Sequence, residues 1–329
     1  MDAKTGLLIA LCGFTLYYLV VLARRVAQPD QTGTGKAPTG GMLLIGFITN
    51  FFDTLGIGSF ATTTAMWRKW NIVPDEQIPG TLNIGHTIPT IAQAFIFTTL
   101  VPVEARTLLL MILAAVIGSW IGANIVAKWP RRNIQIGMGS ALVVAAFLMA
   151  MAFAANVGPD WAKDQDTNGV MHALISIVRG VSAVLHPIAQ NMPKGGTLLA
   201  LIGTALIIGC IGNFVLGALM TLGIGLYGPC MILIYFLGMD PKAAFPIMMG
   251  SCAFLMPIAS ARFIRAEAFN LKAALGLAVG GLPAVLIAAF LVKSMPLDVM
   301  RLLVVIVVLY AAYGLLSSAA REQRVAKGQ

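Results

Sequence analysis

"NFFDTLGIGSF", residues 50–60, sets an amide, a carboxylate and two glycines inside an otherwise apolar neighbourhood. Asn50, Asp53 and Thr54 fall at i, i+3 and i+4, which is one face of a helix. Gly56-Ile57-Gly58 then interrupts that helix, and Ser59 opens the next segment. In hydrocarbon an interrupted helix leaves backbone N–H and C=O groups without partners, at several kcal/mol each. Such a break is tolerated only where protein, water or ligand lines it. The rest of the chain decides whether this one lies in a bilayer.

Of the 329 residues, 58% are hydrophobic and 11% charged, with a mean hydropathy of +0.87. No soluble fold of this size has enough polar surface to cover such a composition. Apolar runs recur at 6–22, 78–100, 104–128, 133–154, 197–222, 243–261, 273–292 and 299–318. Most approach the roughly 20 residues that span a hydrocarbon core of about 30 Å. The expectation is an all-α, multi-pass membrane protein, since barrel strands are about half that length. The net charge of +9 is concentrated at the ends of these runs, as at Arg24-Arg25, Arg68-Lys69 and Arg131-Arg132. That pattern marks membrane topology and not a nucleic-acid footprint. The first run lies between Lys4 and Arg24-Arg25 and reads as an uncleaved span. Cys12, Cys210, Cys230 and Cys252 have neither zinc-ligand nor disulfide-framework spacing, so no metal and no cofactor is expected.

The chain repeats itself. "GFITNF" at 46–51 has a partner in "GCIGNF" at 209–214, and "TLGIG" recurs intact at 54–58 and 221–225. Glu104-Ala105 and Glu267-Ala268 each open an apolar run carrying a GxxxG pair, Gly118 with Gly122 and Gly276 with Gly280. That spacing suits close helix packing in lipid. Each copy reads as a short helix, a glycine break, a second short helix and three longer helices. The domain organisation expected is a first transmembrane helix and cytoplasmic loop (1–40), repeat 1 (41–155), an external linker with an interfacial helix (156–195), repeat 2 (196–319) and a cytoplasmic tail (320–329). The interfacial helix is inferred from His172, Arg179 and His186, spaced by seven residues on one face.

Positive charge orients the copies. Arg68-Lys69 and Lys128 with Arg131-Arg132 mark cytoplasmic loops in the first copy, leaving the Glu104–Arg106 connection outside. In the second copy the equivalent connection is the basic one, with Arg262, Arg265 and Lys272. The repeats are therefore expected to be inverted, with interrupted helices meeting near mid-membrane, as in many secondary transporters.

Free N–H groups and the positive dipole end at the start of a second half-helix make an anion seat, and glycines let a ligand approach the backbone. The candidate binding set is Asn50, Asp53, Thr54, Gly56, Ile57, Gly58 and Ser59 in the first copy, with His86 from the 78–100 helix. In the second copy it is Asn213, Thr221, Gly223, Ile224, Gly225 and Tyr227. Asp53 has two readings, a cap on the free N–H groups across the break or a proton- or cation-coupling group. The 78–100 helix also carries Asn83, Thr87, Thr90 and Gln93 on one face, which should look into the bundle. No HExxH pattern, aspartate pair at membrane depth or serine elbow is present, so no enzyme is expected.

These motifs, G-x-x-x-N-F followed by T-L-G-I-G twice, with Glu-Ala opening a GxxxG helix, resemble the TauE/SafE family of sulfite and organosulfonate exporters. The resemblance covers about 41–319. The glycine cluster is thinner here than in the family pattern, and only Pro229 stands near its expected proline. The resemblance implies an inner-membrane, multi-pass permease that exports small sulfur-containing anions and allows a homodimer. The partners expected are the anionic substrate and the lipid bilayer, without nucleic acid. An anion channel, or a permease for another small organic anion on the same scaffold, is the alternative.

Overall fold

The computed structural model describes residues 3–28, 37–126, 131–157, 198–220, 226–294 and 297–326. The helices are α1 (Ala3–Ala27), α2 (Gly40–Thr54), α3 (Ser59–Trp70), α4 (Ile78–Leu100), α5 (Ala105–Val126) and α6 (Arg131–Val157). They continue with α7 (Gly203–Met220), α8 (Tyr227–Phe236), α9 (Ala244–Arg265), α10 (Leu271–Ser294) and α11 (Leu297–Ala326). Among the described residues, four segments are long and apolar enough to cross a membrane: Lys4–Ala27, Gly203–Met220, Pro241–Arg265 and Leu271–Lys293. The expected interfacial helix at 171–188 lies outside the described residues, as does most of the expected linker.

Local sequence explains why α2 stops and α3 restarts within four residues. Ile57 N–H donates to the Phe52 carbonyl (3.1 Å) and Gly56 N–H to the Asp53 carbonyl (2.8 Å), which is a Schellman ending. Gly56 supplies the positive φ that this motif requires, 96°. Gly58 turns the chain again at φ 85° and sits as the N-cap of α3, without a side chain to satisfy the helix's first amides. At the other end of α3, Asn71 takes φ 48° and Ile72 N–H bonds the Trp67 carbonyl, the same stop with the residue next best suited to it. The short helix α8 ends alike, at Gly238 with φ 83°.

Packing follows the glycines. α5 lies along α7, where a Cβ on Gly118 would strike the Phe214 carbonyl and one on Gly217 the Ala115 carbonyl. α10 lies along α2 in the same manner, Gly280 against the Leu43 carbonyl and Gly46 against Gly276. Such backbone-to-backbone approach is what small residues permit between helices in lipid. α4 and α9 form the centre. Gly80 meets Phe263, Thr87 bonds Ser260 and Phe97 stacks on Phe245, a descending order that makes the two helices antiparallel. α9 is buried almost throughout, and α6 pairs with α11.

Candidate functional site

Two hydrogen-bonded chains of buried polar side chains start from the last turns of α2. In the first, Asn50 Nδ2 donates to its own helix at the Gly46 carbonyl (2.7 Å) and across to the Leu277 carbonyl of α10 (3.4 Å). With both amide protons directed at carbonyls, Asn50 Oδ1 is an acceptor, so His86 Nδ1 carries the proton it shares with that oxygen at 2.9 Å. The ring's Nε2 pairs with Thr63 Oγ1 of α3, 3.1 Å away. His86 thus joins α2, before the break, to α3 after it, and all three side chains are fully buried.

The second chain is centred on Gln93. Its Nε2 donates to Asp53 Oδ2 (3.0 Å) and to Thr54 Oγ1 (2.9 Å), while its Oε1 accepts from the Tyr227 hydroxyl (3.2 Å). Tyr227 is the first residue of α8. One amide side chain therefore ties the first glycine break to the start of the half-helix after the second TLGIG. The Ser59 N–H and hydroxyl and the Tyr227 hydroxyl lie near the Asp53 carboxylate. Asp53 thus lies beside the α3 N-terminus from across the break, where both of its readings, cap or coupling group, place it. Every member of this chain is buried.

The glycines of the break face differently. A side chain at Gly56 would press on Met231 Sδ at 3.1 Å, so α8 covers that residue. A side chain at Gly58 would meet no heavy atom within 4 Å, so the space beside the α3 N-terminus is open there. Ile57, between them, packs against the main apolar core.

On α7, Asn213 is the asparagine of the second G-x-x-x-N-F motif. Its Nδ2 donates to the Met111 carbonyl of α5 (2.7 Å) and to Ser251 Oγ of α9 (3.2 Å), and its Oδ1 has no partner among the described residues. Ser251 Oγ in turn donates to the Ile247 carbonyl of its own helix (2.7 Å), and the polar chain ends there. Thr221, Gly223, Ile224 and Gly225 lie outside the described residues.

Asn50, Asp53, Thr54, Ser59, His86 and Tyr227 are thus brought into linked networks, and Asn213 stands apart in its own. Gln93 and Thr63 belong to these networks although sequence reasoning left both out of the binding set. Their signal was present in the polar face of the 78–100 helix and the threonine run 62–64. What sequence could not supply is the rotation of α4 that aims Gln93, and not Asn83, at the break.

Residues 1–149 match the family model described as sulfite exporter TauE/SafE, a stretch running from α1 through most of α6 and including the whole first break. No curated protein and no solved structure matches the chain.

Proposed function

We propose that this multi-pass membrane protein is a secondary transporter, an exporter in the inner (plasma) membrane, for small sulfur-containing anions such as sulfite or organosulfonates. The anion is held at the paired glycine breaks, and the two repeats, 41–155 and 196–319, rock against each other for alternating access. The observation that carries this reading is the Gln93 bridge, which joins Asp53 and Thr54 at the end of α2 to Tyr227 at the start of α8. The antiparallel run of α4 and α9, equivalent helices of the two halves, supports the inverted arrangement, because a two-fold axis along the membrane normal would leave them parallel. The exchange of partners, α5 with α7 and α10 with α2, supports it as well.

The chemistry follows from Asp53. Its carboxylate lies beside the α3 N-terminus, where a substrate anion would otherwise sit, and in this reading acts as an internal occupant of the seat. Protonation neutralises it and frees the amides of Ser59 and its neighbours for the substrate. A proton and an anion then share the site and cross in the same direction, so that an outward anion gradient carries the proton with it.

Thermal unfolding of the purified protein over a panel of oxyanions tests the reading. A ligand that binds only the folded state stabilises by about 2.7 kcal/mol at a hundred times its Kd. Stabilisation by sulfite or a sulfonate, and not by chloride at equal ionic strength, is the expected outcome. A panel without any shift overturns the substrate class.

A further inference from the structure

The two half-helices that follow the glycine strings are held unequally. α8 buries six of its ten residues, Tyr227, Gly228, Cys230, Met231, Ile234 and Tyr235, whereas α3 buries three of twelve, Ser59, Thr63 and Trp67. Those three fall at i, i+4 and i+8, a single stripe along one face. Few buried apolar contacts mark the segments of a structure that open locally at the least cost. Trp67 is the one large side chain on the stripe. It shares an apolar cluster with Ile45, Leu82 and Leu277, and its Nε1–H is buried without a partner among the described residues. An unmet donor penalises the docked position and so leaves less to overcome when α3 departs.

Both ends of α3 are built as hinges. Gly58 (φ 85°) precedes it with nothing within 4 Å of where a Cβ would stand, so its dihedrals can change without a clash. Asn71 (φ 48°) follows it, and the ion pair of Arg68 with Asp75 (2.9 Å) that spans this second hinge is exposed and adds little. Residues at element ends that absorb a φ/ψ change are what hinged loops and lids turn on. Between Ser59 and Arg68, the one side-chain hydrogen bond from α3 to a neighbouring helix among the described residues is Thr63 Oγ1 with His86 Nε2, at 3.1 Å. Thr62 bonds back to the Ser59 carbonyl of its own helix (2.8 Å) and contributes no such tie. His86 does not yield with α3, because Asn50 holds its Nδ1 at 2.9 Å and is itself bonded to α10.

We propose that α3 is a gate over the first break, swinging about Gly58 and Asn71, with the Thr63–His86 bond as its latch. Opening uncovers His86 and the apolar floor of Ile45 and Leu82, and closing carries the α3 amides back to Asp53. A half-helix released in this way admits a ligand to the break while the α4–α9 pair stays packed. That role in admitting an anion rests on the transporter reading; the hinged motion does not.

The test therefore reads the motion itself. Leu82 is buried in the cluster that Trp67 completes. In full-length protein with Cys12 and Cys210 replaced by alanine, Leu82→Cys is labelled with a small water-soluble maleimide, whose rate follows the fraction of molecules with α3 open. Thr63→Val is expected to raise that rate roughly tenfold, the equilibrium effect of losing one buried hydrogen bond. Thr63→Ser, which keeps the hydroxyl, and Thr64→Val, off the stripe, leave it unchanged. His86→Leu raises it as Thr63→Val does, and the two together raise it no further, the coupling expected when both remove one bond. Leu108→Cys, fully buried in the main core on α5, reports general loosening and stays unreactive throughout. Ile45→Cys provides a second position should Leu82→Cys misfold. Rates at both positions that ignore the Thr63 hydroxyl, or a Leu108→Cys rate that climbs with them, overturn the proposal. A latch-dependent rate in protein that no oxyanion stabilises keeps the gate and removes the transporter reading.

Discussion

Replacing Asp53 with asparagine separates its structural role from its coupling role. The amide keeps the shape and one acceptor, so Gln93, Ser59 and Tyr227 still have a partner, but the bonds are no longer to a charge. Hydrogen bonds to charged groups contribute about 1.5–3 kcal/mol against about 0.5–1.5 for neutral ones. A carboxylate at a helix N-terminus adds about 0.3–1 kcal/mol more. Against that loss stands the relief of a charge no longer held away from water. The expected stability change is therefore small, about 1–2 kcal/mol of destabilisation at most. The functional change is larger. An anion on the same N-terminus would lie roughly 4 Å from the carboxylate, a repulsion of about 4 kcal/mol at an effective dielectric of 20. With every 1.4 kcal/mol worth a factor of ten, Asp53→Asn should bind its anion about a hundredfold or more tightly at neutral pH. It should also lose the dependence of binding on pH. Flux into proteoliposomes, measured with and without a pH gradient, is the assay. Equal gradient dependence in wild type and variant, with the same half-saturation for the anion, would reduce Asp53 to a cap and refute the coupling argument.

Gly280→Ala places a Cβ on the Leu43 carbonyl, and overpacking of this kind costs about 1–3 kcal/mol. Gly314→Ala, where nothing lies within 4 Å, is the matched control; a thermal scan should show a lowered Tm for the first variant alone. Asn50→Ala strands His86 Nδ1 in a buried site and should destabilise by about 1–3 kcal/mol, whereas Asn83→Ala, on the partly exposed side of α4, should lie within about 0.5 kcal/mol of wild type. Glu104 caps α5 by accepting from Thr107 Oγ1 (2.6 Å) and N–H (2.7 Å), which with Arg106 holds its carboxyl below the usual glutamate range. Because the folded-state value is the depressed one, the cap's contribution is present above the ordinary glutamate range and disappears as pH falls through the lowered value. Glu104→Gln should flatten that acid limb in a pH series of unfolding midpoints, by at most about 1 kcal/mol for so exposed a cap.

Much of the first break was legible because its chemistry is local. A Schellman ending needs glycine at Gly56, and a helix restarted without a capping side chain accepts Gly58, so the TLGIG string encodes a stop and a start in itself. GxxxG spacing was legible for the same reason, as Gly118, Gly276 and Gly280 mark where backbones approach. Partner choice was not. Nothing in the order of residues says that Asn50 reaches Leu277, or that Tyr227 finds Gln93 and through it Asp53, because each pairing depends on how a helix is rotated about its axis. Nor could the sequence anticipate that Gly56 is covered by Met231 while Gly58 stays open, since both satisfy the same rule for positive φ.

The reciprocal docking of α2 on α10 and α7 on α5 also governs how the chain is assembled at the ribosome. Residues 47–276 must all be translated before Gly46 finds Gly276, so the early half enters the bilayer with its close-packing face unmatched and exposed to lipid. An insertase or chaperone that shields that face, or a pause before the late half emerges, would then set the yield of folded protein. Coexpressing 1–157 and 198–329 as separate polypeptides should rescue each from proteolysis, since each carries the ridge that fills the other's furrow.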